Sequence, residues 1–259
     1  MRLWNELKRL GGARRPFPEA DWQETRRRLP LLATLDDADT ERLGERAWAF
    51  LHRKRLTLPD DDAFDLPARL GLAAQACLLT LGWDDRAARE AFANVHQVVV
   101  VPDAFRRHVE EMDDAGVVHE YEDERVGETW YQGPIVVSLA DLADSGDWSG
   151  FNVVIHEFAH KLDMGNSQEA DGCPPLPRDI AAEEWHRVFT AVWDDLQAHL
   201  ERGQPTPIDD YAATHPGECF AVCCETFFSA PDVLDGAYPE LYALLARYFR
   251  QAPLARLPR

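Results

Sequence analysis

Apolar residues recur at helical spacing along most of the chain. Leu43, Ala47, Phe50 and Leu51 repeat about a turn apart within residues 38–56, which predicts an amphipathic helix. Asp36, Asp37 and Asp39 supply a cap and an acidic first turn, while Arg53, Lys54 and Arg55 close the last turn, as the helix dipole favours. Pro67 opens a second predicted helix that runs to Leu81 and stops at Gly82. Residues 84–93 read as a short third helix. Residues 1–30 carry Arg14-Arg15 and Arg26-Arg27-Arg28 among Pro and polar residues and read as a loose arm.

The pattern then changes. The β-branched run from His96 to Val101 ends at Pro102 and predicts a strand. Gly116–Tyr121 is a weaker strand and Gly133–Leu139 the clearest one. Gly146, Ser149 and Gly150 mark a loop, after which helical periodicity returns. Helices are predicted from Phe151 to Met164, over 179–201, from Pro216 to Phe228, and from Pro239 onward. The stretch from Gly165 to Pro177 is rich in Gly, Pro and polar residues and reads as an irregular loop, either a gate to the cleft or a merely mobile segment. The expectation is an α+β chain, mainly helical, with a small mixed β-sheet.

Composition narrows the class. The 259 residues suffice for one large domain, or for a catalytic domain with a helical extension. The net charge of -19, from 27 Lys and Arg against 46 Asp and Glu, repels phosphate backbones. It argues against direct nucleic-acid binding and favours a basic protein partner. No run reaches the length of a membrane span, and the first residues lack the apolar core of a signal peptide. Cys77, Cys173, Cys219, Cys223 and Cys224 are odd in number and do not have the spacing of a disulfide framework. They suit a reducing compartment, the cytoplasm.

One stretch carries chemistry. His156-Glu157-Phe158-Ala159-His160 is an HExxH motif inside an apolar run. On a helix its two histidines share a face. Both imidazoles then reach one metal ion, beside a glutamate placed to act as a base on water. Catalytic zinc takes three protein ligands and keeps one position open. His186, His199 and His215 are candidates for the third, although no motif frames them. Glu218 and Glu225 are better placed, in the apolar run Glu218–Glu225. A carboxylate is costly to bury there unless it is paired or bound to metal. Seven residues apart, the two acids fall on one helix face, two turns separated, and spacing alone does not choose between them.

The motif and its surroundings resemble the Mlc titration factor A family of zinc peptidases. The resemblance rests on Phe50-Leu51-His52-Arg53-Lys54, Gln132-Gly133-Pro134-Ile135-Val136, Gly150-Phe151-Asn152 leading into His156–Asp163, Asp210-Tyr211-Ala212-Ala213, Pro216–Val222, and Glu225 with Phe227–Pro231. It implies a catalytic fold of the zincin type, similar to that of anthrax lethal factor. It also implies one zinc per chain held by His156, His160 and Glu218, with Glu157 as catalytic base and Tyr211 as an active-site donor. Residues 1–90 are then an N-terminal helical region packed on a catalytic domain of residues 91–259, the two forming one compact unit. Cys224 departs from the family pattern, which has Ser there.

These assignments lead to functional expectations. Glu157 takes a proton from water and delivers it to the leaving amine, and Tyr211 bonds the tetrahedral oxyanion. Asp163, one turn beyond His160, is expected to accept the outer N–H of a ligand histidine. Ile135–Ser138 is either an interior strand or a sheet edge that pairs with an extended peptide. The resemblance implies aminopeptidase-like hydrolysis of small peptides. It also implies binding to a transcriptional repressor of the Mlc type. A non-catalytic protein that sequesters the repressor, with a secondary metal site, is the alternative.

Overall fold

The computed structural model describes residues 16–58, 64–102 and 133–258, together with the backbone of 107–112 and 118–123. Four helices and a strand open it: α1 (Glu19–Arg28), α2 (Pro30–Ala33), α3 (Asp37–Arg53), β1 (Arg55–Thr57) and α4 (Leu66–Leu78). Asp36 caps α3 by accepting from Asp39 N at 2.8 Å, and Asp65 caps α4 by accepting from Ala68 N at 2.9 Å. These caps satisfy amides that the helix itself leaves unpaired.

The expected arm is in part a helix. Arg14 and Arg15 lie outside the described residues, but Arg26, Arg27 and Arg28 form the last turn of α1. Only Trp22 and Thr25 of this helix are buried, so its apolar stripe is too thin to register as periodicity. Tertiary contacts hold it. The Thr25 hydroxyl donates to Pro67 O at 2.9 Å, and Trp22 lies where a Cβ on Gly44 would be 2.9 Å from its ring.

After α5 (Asp85–Glu90) come β2 (Gln97–Val101), the hairpin β3 (Arg107–Met112) and β4 (Val118–Asp123), and then β5 (Ile135–Ser138). The described strands form a small sheet and a separate ribbon in a mainly helical α+β fold. β1, β2 and β5 form a parallel sheet in the order β1-β2-β5, with Val98 opposite Ile135 and Val101 opposite Ser138. β3 and β4 pair antiparallel as a separate ribbon, with Met112 opposite Val118. The weaker predicted strand thus falls on β4, two residues late, and its Gly116 and Val117 lie outside the described residues. Each parallel crossover needs a long connection. Between β1 and β2 it includes α4 and α5.

The C-terminal half is helical: α6 (Leu139–Ala143), α7 (Val153–Asp163), α8 (Ala182–Glu201), a 3₁₀ turn at Asp210–Ala213, α9 (Pro216–Ser229), α10 (Pro231–Ala237) and α11 (Pro239–Phe249). Helix α7 carries HExxH and lies at the centre. Val153, Val154, Ile155, Phe158, Ala159 and Leu162 are all buried. The Phe158 ring stands 5.7 Å from that of Phe50 on α3 and 5.0 Å from that of Phe92. Buried residues from Trp22 to Phe249 form a single cluster, so the N-terminal helices and the motif helix share one core.

Among the described residues no helix is long and apolar enough to cross a membrane.

Deleting a buried aromatic ring removes its transfer energy and leaves a cavity. Phe158→Ala is therefore expected to destabilise the fold by about 3–5 kcal/mol, read from urea unfolding midpoints at constant slope.

Candidate metal centre

Helix α7 starts at a hydrogen-bonded cap. The Asn152 side chain accepts from Ile155 N at 3.0 Å, and Ser145 Oγ accepts from Val153 N at the same distance. Helix α9 packs alongside α7 and begins at Pro216, with His215 as its cap accepting from Gly217 N at 3.1 Å. His215 is thus a capping group. His186 is an exposed residue of α8, and His199 on the same helix is half-buried and faces Asp195.

The two helices bring His156, His160 and Glu218 together. Among the described residues this is the group of His, Cys, Asp and Glu side chains arranged to hold a metal ion. His156 Nε2 lies 3.1 Å from Glu218 Oε2 and 3.2 Å from His160 Nε2, and His160 Nε2 lies 3.2 Å from the same carboxylate oxygen. The three atoms form a nearly equilateral triangle. Nitrogen and oxygen ligands about 2.0–2.1 Å from a tetrahedral zinc stand about 3.3 Å apart. The triangle therefore has the size of one face of that coordination shell, and two neutral donors with one carboxylate suit zinc.

The electrostatics agree with close convergence. Burial opposes charge on Glu218, but hydrogen bonds with His156 and His160 outweigh it and hold the carboxyl far below the usual carboxylate range. Burial likewise opposes charge on His156. Hydrogen bonds to Glu218 and Glu225 outweigh it and hold the imidazole well above its ordinary pKa.

Glu225 takes part as well, from the other side of the ring. Its Oε2 lies 3.1 Å from His156 Nδ1, and its Oε1 accepts from the Asn152 backbone N–H. The two acids on one face of α9 thus meet the two nitrogens of one imidazole.

Glu157 is buried on α7, close enough for its charge to act on both His156 and Lys161. Tyr211 sits on the 3₁₀ turn that packs against α9, its ring 6.2 Å from that of His156. Lys161 lies in the His156–Asp163 segment, but no role was expected of it, although a lysine inside an apolar helical run is itself a signal. It is fully buried, and its ammonium donates to Gly133 O at 3.2 Å, tying α7 to the start of β5. Burial lowers its pKa to about 8.

Asp163 does not bond a ligand histidine. Its Oδ2 accepts from Gly172 N at 2.7 Å. Its Oδ1 and His160 Nδ1 are both buried and find no hydrogen-bond partner among the described residues. Burial raises the Asp163 carboxyl to about 7.

This contact also changes the picture of the loop between Gly165 and Pro177, which is anchored. Trp185 Nε1 donates to Gly172 O at 2.8 Å, and Asn166 Nδ2 to Cys173 O at 3.2 Å. Gly172, at φ +81°, lies where a Cβ would be 2.7 Å from Pro216 O, and a Cβ on Gly217 would be 2.5 Å from Ala170 O. The loop therefore rests backbone to backbone on the first turn of α9, next to Glu218. The cysteines of α9 are free and buried in the core and do not belong to this group.

Comparison with known proteins agrees with this geometry. The family described as glucose-regulated metallo-peptidase M90 matches residues 2–250. Proteins named Mlc titration factor A from Yersinia pestis (strain Pestoides F) and Yersinia pseudotuberculosis serotype O:1b (strain IP 31758) are each 39% identical to the chain over 263 residues. The similarity covers 98% of this chain and 93% of each relative.

A methyl group at position 217 has no room against a backbone carbonyl. Gly217→Ala is expected to cost about 1–3 kcal/mol through overpacking, measured by denaturant unfolding. An unchanged midpoint would show that the loop yields freely.

Proposed function

The chain belongs to the glucose-regulated metallo-peptidase family M90, and on that footing we propose that it is a zinc-dependent peptidase with one zinc per chain, held by His156, His160 and Glu218. The observation that carries this reading is the triangle of ligand atoms 3.1 to 3.2 Å on a side. Bound zinc would supply Lewis acidity and a water of lowered pKa. The protein's own groups do the rest. Glu157 stands next to a ligand on the same helix, where it takes a proton from the attacking water and passes it to the leaving amine. Tyr211, beside His156, donates a hydrogen bond to the oxyanion of the tetrahedral intermediate.

The sheet supports a substrate class. Among the described residues β5 is an edge strand, paired on one side with β2. An extended peptide adds to such an edge through main-chain hydrogen bonds, which demand little of its sequence. The proposed activity is aminopeptidase-like cleavage of small peptides. Five free cysteines support a cytoplasmic site of action.

A second role is compatible with the first. The relatives' name, Mlc titration factor A, supports binding of a repressor of the Mlc type, and the acidic surface suits a basic partner. In the alternative, this binding is the whole function and the metal site is secondary.

Mutation separates these readings. Purified protein should carry about one zinc per chain by elemental analysis, and His156→Ala should lose it. Glu157→Gln is expected to keep the zinc while peptide hydrolysis falls by about 10²–10⁴. Tyr211→Phe should lower kcat by about 10²–10³. Full hydrolysis by Glu157→Gln would sink the base assignment. A zinc-loaded wild type that cleaves nothing in a peptide library would favour the purely regulatory role.

A further inference from the structure

Glu225 lies between a backbone N–H and a ring nitrogen. The Asn152 backbone N–H only donates, and it bonds Oε1. Oε2 lies 3.1 Å from His156 Nδ1. Oε2 accepts when Nδ1 carries the hydrogen, and a neutral imidazole so arranged has its lone pair on Nε2, the atom in the triangle. The outer bond of a histidine fixes which nitrogen is free to ligate.

The chain of bonds continues into the N-terminal helices. Asn152 is fully buried and held at both ends of its side chain. Its Oδ1 caps α7 through Ile155 N at 3.0 Å, and its Nδ2 donates to Gln75 Oε1 at 2.7 Å. Gln75 is a buried residue of α4, and its own Nε2 donates to Gly71 O at 3.3 Å. Gln75 fixes Asn152, and Asn152 presents its backbone N–H to Glu225.

From this geometry we propose that Glu225 is a positioning residue that holds His156 with Nε2 bare and directed at the metal, and that Gln75, through Asn152, braces Glu225 in turn. The inference rests on the zinc site proposed for this chain. It makes a helix outside the motif part of the ligand shell. It also gives a reason for a glutamate at position 225 that burial alone would not. A glutamine there has the same shape but must turn an NH₂ toward one of two N–H groups. The conflict is relieved when His156 moves its hydrogen to Nε2, which removes the lone pair from the triangle.

The test measures zinc affinity of the full chain by competition with a chromophoric chelator, and thermal midpoints of the same metal-free proteins. Glu225→Gln is expected to weaken zinc binding about 10- to 100-fold, with Gln75→Ala weakening it less. Gln251→Ala is the control. It removes a buried side-chain hydrogen bond of similar kind, Gln251 Nε2 to Leu78 O at 2.8 Å, away from the ligands. It should lower the midpoint and leave zinc affinity alone. If Glu225→Gln binds zinc as the wild type does, or loses affinity no more than Gln251→Ala, the role of Glu225 is merely structural and the proposal is overturned. Wild-type affinity in Gln75→Ala overturns the bracing step. Should Glu225→Gln fail to fold, a loss of affinity in Gln75→Ala that Gln251→Ala lacks at a matched midpoint supports the chain of bonds, and equal affinities overturn it. A wild type that binds no zinc defeats the zinc site itself, a result distinct from a zinc-binding wild type with an indifferent Glu225→Gln.

Discussion

Imidazoles and carboxylates from two helices converge within a few ångströms of one another inside an apolar core, and the packing of α7 against α9 is what brings them there. Such groups are costly to take out of water unless each finds a partner. The fold meets that cost by reciprocity. Glu218 lies at the inner nitrogens of both histidines, and Glu225 at the outer nitrogen of one. Move either helix by a turn and the site becomes a set of unpaired buried charges. The apolar faces that fix the two helices, Phe158 and Leu162 on one and Phe220 and Phe227 on the other, are therefore as necessary to the chemistry as the ligands.

Around this contact the rest of the chain sets positions. Lys161 ties the motif helix to the strand β5, at the edge where an extended peptide would run. Asp163 and Trp185 hold Gly172, and through it the loop that rests on the first turn of α9. Phe50 and Phe92 clasp Phe158 from the N-terminal side. The motif helix is thus held on every side by elements remote in sequence. This is the rigidity that a preorganised metal site requires.

The expectations for the N-terminal arm and for the loop after α7 changed for definite reasons. The segment with Arg26, Arg27 and Arg28 is helical because Trp22 and Thr25 find partners on other helices, a benefit that local composition cannot register. The loop after α7 has the Gly and Pro content of a mobile gate. That content serves close packing, since Gly172 takes a left-handed φ and both it and Gly217 admit a backbone where a side chain would not fit.

The sequence by itself determined the features that arise from short-range regularity. The histidines stand four apart in an apolar run, the caps are acidic, the strands β-branched and the helices amphipathic, because helix and strand periods are local properties of the chain. It put Glu218 and Glu225 forward as the third ligand because a carboxylate in an apolar run needs a partner, and resemblance favoured the first. Only the tertiary structure decided where the two acids stand around the imidazole. Their roles depend on the distance between α7 and α9 and on which side of one imidazole each carboxylate reaches. Asn152 and Gln75 were illegible for the same reason. They lie 77 residues apart in the chain, and a hydrogen bond over that separation has no periodicity to reveal it.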